Sequence, residues 1–193
     1  ANHPLGSLDG LALLNLVGSI RSDVKIVANG LLATLAPLQR LLLPVTVLGG
    51  HSGARQLKAI LEHLRGEGAV IIFPAGEVSR LRPGGVRDGR WHSGFLRLAA
   101  QTQAPIVPIH IDGRNSALFY GASLCYKPLA TLLLVQEMFG QHRKSIALRI
   151  GHPIPHSSHG AMPLPDAAKA KLFCKHLYRV AQDRPGLLHT ETA

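Results

Sequence analysis

Two short stretches of this chain carry side chains whose types and spacing can do chemistry. The first runs Asn2-His3-Pro4-Leu5-Gly6-Ser7-Leu8-Asp9. A histidine on a Pro/Gly turn can project into a cleft, and an aspartate at a helix start can fold back towards it. In such a pair the carboxylate fixes the imidazole tautomer and stabilises the imidazolium formed during reaction. The imidazole can then serve as a general base, a role that contributes roughly 10²–10⁴ in rate. The plainer alternative leaves His3 on a frayed terminus and Asp9 as a helix cap.

The second stretch, from Ala69 to Arg80, reads AVIIFPAGEVSR. A buried strand delivers Phe73 to its end, and Pro74-Ala75-Gly76 turns the chain. Glu77, Ser79 and Arg80 then stand at the strand's carboxyl end, where open α/β sheets place their ligands. Gly76 permits backbone to approach a ligand closely, and Arg80 offers forked donors to an anionic group. The plainer alternative is a strand-to-loop corner with solvated polar residues.

The elements that must position these groups alternate between strand and helix. Helical character is expected over Leu8–Val17, over the apolar run Leu31–Leu43 that Pro44 stops, over Phe95–Gln101, and from Pro128 to Phe139. Gln56–Arg65 is the clearest amphipathic helix, with Leu57, Ile60, Leu61 and Leu64 at i, i+3, i+4, i+7. Leu172, Phe173, His176, Leu177 and Val180 mark one face of a terminal helix. Strands are expected at Val24–Val27, Val45–Leu48, Ala69–Phe73, Ile106–Ile111 and Ser145–Ile150, and Gly151–Pro165 reads as a loop. The alternation predicts one α/β domain, with a mostly parallel central sheet covered by helices.

Composition supports that architecture. The chain has 193 residues, enough for a single core without staples, with 46% hydrophobic and only 17% charged residues. A balance of 21 basic against 11 acidic residues gives a formal charge of +10. Such a field attracts nucleic acid, anionic membrane or acidic small molecules. No stacking platform or basic recognition helix accompanies it, so nucleic acid is not expected and an anionic membrane surface is. Cys125 and Cys174 form no C-x-x-C pattern and suggest a reducing compartment and ordinary packing. Eleven histidines are present without H-E-x-x-H or a tight Cys/His set, so no metal site is expected.

The two motifs in this order resemble the glycerolipid acyltransferase superfamily of the lysophosphatidic acid acyltransferase type. Its first block, N-H-x4-D, is matched by NHPLGSLDG, and its F-P-E-G-T-R-S block by FPAGEVSR. Ala104-Pro-Ile-Val-Pro-Ile109 matches a later apolar block, and Trp91-His-Ser-Gly-Phe95 sits where the family has Lys-x-Gly. The core motifs span residues 1–155, leaving 156–193 as a C-terminal helix and tail. Three departures stand out. His3 and Asp9 are separated by five residues instead of four, Ala75 replaces the block Glu, and Glu77 stands in the Thr place. For the second block only Gly49-Gly50 or Arg55 offers a candidate. This variant pattern is similar to the branch with ornithine- and glycine-lipid O-acyltransferases and proteins described as haemolysins.

The resemblance implies an O-acyltransferase acting on a lyso-lipid hydroxyl, either lysophosphatidic acid or a lyso-aminolipid. It implies His3 as base, Asp9 as its orienting partner, and an acyl carrier protein or coenzyme A thioester as co-substrate, with no further cofactor. Pro4, Leu5 and Gly6, together with Phe73, Pro74, Ala75, Gly76, Glu77, Ser79 and Arg80, would line the substrate site. Backbone N–H groups around Gly76 and Glu77 would meet the oxyanion. The expected location is peripheral, on the cytoplasmic face of a membrane. The abrupt start at Ala1 reads as a fragment of something longer, and an N-acyltransferase-type domain following in some relatives suggests what lies beyond the tail. A non-catalytic lipid-binding module that keeps this fold is the alternative.

Overall fold

The computed structural model describes residues 1–29, 36–45, 52–125, 127–140, 145–184 and 186–188. Helix α1 (Ser7–Gly18) leads into strand β1 (Lys25–Asn29). A 3-10 turn (Ala36–Leu41), strand β2 (Leu42–Val45), helix α2 (Ser52–Arg65) and the short strand β3 (Val70–Ile71) follow. The three strands form a parallel sheet in the order β2-β1-β3, with Ile26 opposite both Leu42 and Ile71. Alternation along the strands sorts side chains to two faces. Ile26, Leu42 and Ile71 pack with Leu13 of α1 on one face, while Leu43 packs with Ile60 of α2 and Leu98 on the other. The chain is thus an α/β domain with helices on both sides of a parallel sheet.

Leu31–Leu43 does not continue as one helix. Of its described part, the stretch to Leu41 is 3-10 and Leu42–Val45 is a strand. A parallel strand covered by helices on both faces is apolar throughout, as Leu42 and Leu43 are here, so its periodicity resembles that of a buried helix. Val45 therefore ends a strand, and the rest of the expected Val45–Leu48 lies outside the described residues, as do Gly49-Gly50, His51 and His142.

Beyond the second motif a hairpin forms from β4 (Arg80–Arg82) and β5 (Gly85–Arg87), an element the sequence reading did not anticipate. Helix α3 (Gly94–Thr102) and strand β6 (Ile109–Asp112) come next, then α4 (Ala117–Cys125), α5 (Lys127–Gly140) and β7 (Ala147–Ile150). Strands β6 and β7 pair antiparallel, extended by a bridge between Ile106 and Ile154. The short helix α6 (His156–Gly160) interrupts the expected loop, and α7 (Asp166–Val180) is the expected terminal helix. Its Phe173 and Leu177 share a core with Ala75, Trp91, Phe95 and Leu96. Cys174 packs at that core, whereas Cys125 is exposed and fills no packing role. Among the described residues no helix is long and apolar enough to cross a membrane.

The N-terminal residues splice the parallel sheet to the β6-β7 pair. The Ala1 nitrogen donates to the Ile72 carbonyl just past β3. Asn2 copies a ladder step with its side chain: Nδ2 donates to the Ile111 carbonyl at 2.9 Å, and Oδ1 accepts from the Ile111 N–H at 2.7 Å. A buried amide satisfied at both ends holds its segment in one register. The next residue, His3, is thereby fixed beside the carboxyl end of β3.

Candidate active site

The turn after His3 is built by Asp9. Asp9 is fully buried in the first turn of α1, and its Oδ2 accepts the N–H groups of Leu5 at 2.8 Å and Gly6 at 3.1 Å. These bonds satisfy donors that a helix start leaves orphaned. The same oxygen lies 3.0 Å from His3 Nδ1, with the imidazole 19% exposed. Burial pushes the Asp9 carboxyl above its usual range, and the contacts with His3, Leu5 and Gly6 pull it back in part. The capping alternative and the pairing alternative are therefore both realised, by one oxygen. Asp9 caps the helix and lies within ion-pair distance of the imidazole.

His3 lies on Phe73, with ring centroids 4.1 Å apart and planes 24° from parallel. The two motifs meet through this stack. Phe73-Pro74-Ala75-Gly76 forms a closed turn in which the Gly76 N–H donates to the Phe73 carbonyl at 3.0 Å. Gly76 has φ +65° and open space where a side chain would stand, so the backbone is bare there. Its N–H is engaged inside the turn. Ala75 is buried in the core beside Trp91 instead of facing the site. Pro4, Leu5, Gly6 and Pro74 are buried as framework.

Beside the turn, Glu77 is 35% exposed and Arg80 is mostly buried, at 12%. Glu77 is paired with Arg80 at 3.7 Å and with Arg82 at 3.5 Å, and the Arg80 guanidinium also donates to the Ser123 hydroxyl on α4. Arg55, by contrast, is exposed on α2. Ser79 is 1% exposed and does not line an open surface. Its N–H donates to the His3 carbonyl at 2.7 Å, and its hydroxyl donates to Asp88.

Asp88 is the residue that sequence reading missed. It follows β5, is buried, and accepts three hydrogen bonds. Oδ1 takes the His3 N–H at 3.1 Å and the Ser79 hydroxyl, and Oδ2 takes Trp91 Nε1 at 2.9 Å. Its own N–H donates to the Tyr178 hydroxyl at 3.0 Å. The His3 backbone is therefore held on both sides, by Asp88 at its N–H and by Ser79 at its carbonyl. Asn115 completes the cradle, donating from Nδ2 to the Pro4 carbonyl at 3.0 Å. The available signal for Asp88 was slight: an acidic residue in an arginine-rich segment three positions before the single Trp.

Behind the turn lies a cavity of about 620 Å³, bounded by α1, β3, α3 and the Ala104–Ile109 segment. Its walls are mostly apolar, with Leu13, Val17, Ile72, Phe95, Leu98 and Val107 prominent. It does not reach His3 or Phe73; Ala1 and Pro74, their near neighbours along the chain, are among its walls. A space of this size and lining suits an apolar ligand.

The model of an acyltransferase family matches residues 1–164. The chain is similar to the lyso-glycine lipid O-acyltransferases of Phocaeicola vulgatus and Bacteroides thetaiotaomicron, at 35% identity over 163 residues in each case. These matches cover 80% of this chain but 58% and 59% of the relatives, so the chain spans less than two thirds of their length. No solved structure matches.

Proposed function

Because the chain belongs to this acyltransferase family, we propose that it moves a fatty acyl group from a thioester onto the hydroxyl of a lyso-lipid, with His3 as general base. The observation that carries this reading is the placement of His3 Nδ1 3.0 Å from Asp9 Oδ2 while the same ring stacks on Phe73. With Nδ1 turned to the carboxylate, Nε2 is the nitrogen left to take the proton of the acceptor hydroxyl. The alkoxide-like oxygen attacks the thioester carbonyl, and the tetrahedral intermediate collapses with loss of the thiolate. That thiolate leaves readily and takes the proton back from the imidazolium, so no covalent enzyme intermediate is required.

The apolar cavity behind Pro74 would take the acyl chain, and Arg80 with Arg82 would meet the acceptor head group beside Glu77. The similarity to lyso-glycine lipid O-acyltransferases favours a lyso-aminolipid over lysophosphatidic acid as acceptor. The Ala75 substitution fits that choice, since the family's acidic block residue is missing here and its replacement is turned into the core. The donor would be an acyl carrier protein or coenzyme A thioester, and the site of action the cytoplasmic face of a membrane, reached peripherally through the +10 surface.

The test is thiol release from an acyl thioester in the presence of a lyso-glycine lipid, with His3→Ala as the comparison. The variant should lose roughly 10²–10⁴ in rate while keeping the wild-type circular dichroism and melting curve. Full activity in His3→Ala would defeat the assignment of the base. Vesicle binding without turnover from any thioester would favour a non-catalytic lipid-binding module.

A further inference from the structure

We propose that helix α4 is the element that docks on an anionic lipid surface, with Leu118 and Leu124 entering the bilayer interface. The proposal rests on the lyso-lipid reading for its biological sense and on the following observations for its location. The inward side of α4 is formed by Phe119, Tyr120 and Ser123, all buried. The opposite side carries Ala117, Leu118, Gly121, Leu124 and Cys125, and every one of them is exposed. Leu118 is 68% exposed and Leu124 70%. At 100° per residue these five positions form one continuous face, and it holds no charged or hydrogen-bonding side chain beyond a thiol. A water-facing helix normally presents polar residues there. Phe139, near the end of the neighbouring α5, is 66% exposed as well.

Charge decides which partner fits this face. From Gly113 to Gln136 the sequence contains no acidic residue, and Arg114 and Lys127 flank α4 along the chain. The next acid, Glu137, is taken up by the N–H and hydroxyl of Ser116. An apolar helix face in an acid-free stretch of sequence, on a chain of formal charge +10, complements a bilayer with anionic head groups and apolar depth beneath them. The buried side of the same helix reaches the site. Ser123 accepts from the Arg80 guanidinium, which also lies 6.0 Å over the Phe119 ring. A bilayer seated on Leu118 and Leu124 would thus bring an acceptor head group to the depth of Arg80.

The experiment is sedimentation with vesicles of phosphatidylglycerol and phosphatidylcholine in equal parts. Wild type should bind, and more weakly as salt rises. The double variant Leu118→Glu/Leu124→Glu should lose at least tenfold in partitioning, whereas Ile20→Glu, at a site 77% exposed after α1, should bind as wild type does. A second readout does not depend on how the variant folds. An environment-sensitive fluorophore on exposed Cys125 should shift to the blue on these vesicles; the Cys174 thiol, pushed up to about 11 by burial, stays unlabelled. Absence of wild-type binding, undiminished binding by a folded double variant, or an unshifted fluorophore each overturns the proposal. So does a wild-type dimer that the double variant turns into a monomer, since a second copy would then cover the face. If docking holds but no acceptor is acylated, the enzymatic reading fails and the docking surface stands.

Discussion

Asp9 Oδ2 lies 3.0 Å from His3 Nδ1 and accepts the Leu5 and Gly6 N–H groups with the same atom. Structure and chemistry therefore make different demands on one carboxylate. An amide oxygen can accept the two backbone donors, but an amide cannot stabilise an imidazolium or keep its proton on Nδ1. Burial already raises the Asp9 pKa, meaning that the charged form is disfavoured in the fold. Asp9→Asn should consequently keep or raise the melting temperature while lowering kcat roughly 10²–10⁴-fold. A thermal melt and a steady-state assay on one preparation decide it. A variant that loses both together would mean that Asp9 acts only as a cap.

Asp88 predicts a different pattern. It grips the His3 backbone and Trp91 but is not placed to exchange a proton with substrate. Asp88→Asn can still accept at one oxygen, but its amide N–H then faces a second donor on Trp91. The imidazole should lose its placement, and a misplacement of about 1 Å can cost 10²-fold. Expected is a fall in kcat with KM nearly unchanged and the same pH profile as wild type. Asp88→Ala strands three donors, at about 1–3 kcal/mol each, and should lower the melting temperature as well. A shifted pH profile in Asp88→Asn would instead make it part of the proton-transfer machinery.

Gly113 tests the support from the far side. A Cβ added there would fall 2.6 Å from Leu5 Cδ1, and Leu5 is itself 2% exposed in the turn that Asp9 holds. The methyl can be accommodated only if the buried Leu5 side chain, or the turn that carries it, shifts. Gly113→Ala should therefore cost about 1–3 kcal/mol of stability, as overpacking does, and should reduce activity more than Leu57→Ala at an exposed position. Denaturant melts and initial rates on the two variants compare them directly.

How far the sequence discloses this site depends on how locally each part is built. His3 and Asp9 are legible because one turn and one helix start bring them together within a few residues. Phe73-Pro74-Ala75-Gly76 is legible because Pro and Gly can only turn the chain there. Asp88 is not, since its partners His3 and Trp91 lie 85 and 3 positions away and the first contact exists only once the sheet has formed. Ser79 is polar and reads as a surface ligand, yet tertiary contacts bury it on Asp88. Leu42–Val45 illustrates the same limit in the fold: an apolar run covered on both sides has no period by which to tell strand from helix. The arginines of the β4-β5 hairpin hide a strand pair behind a charge pattern.

The C-terminal helix predicts a pH effect on stability. His176 is 3% exposed, and its Nδ1 accepts N–H groups from Leu187 at 3.0 Å and Leu188 at 3.1 Å. An acceptor nitrogen carries no proton, so the folded ring is neutral, and burial holds its pKa below the ordinary value. His159, 2% exposed near Phe173, is depressed as well, by burial first and then by His156 and Lys169. For a histidine depressed in the fold, the unfolded chain binds more protons once the pH drops towards its own pKa of about 6.5. The stability is complete above that pH and is lost as pH falls below it. The melting temperature should drop between about pH 7.5 and 5.5, and His176→Asn, whose Oδ1 can accept in place of Nδ1, should show a shallower drop. Equal slopes in the two proteins would show that protonation of His176 does not release the Leu187–Leu188 segment, and would leave His159 and His110, both depressed by burial, to account for the loss.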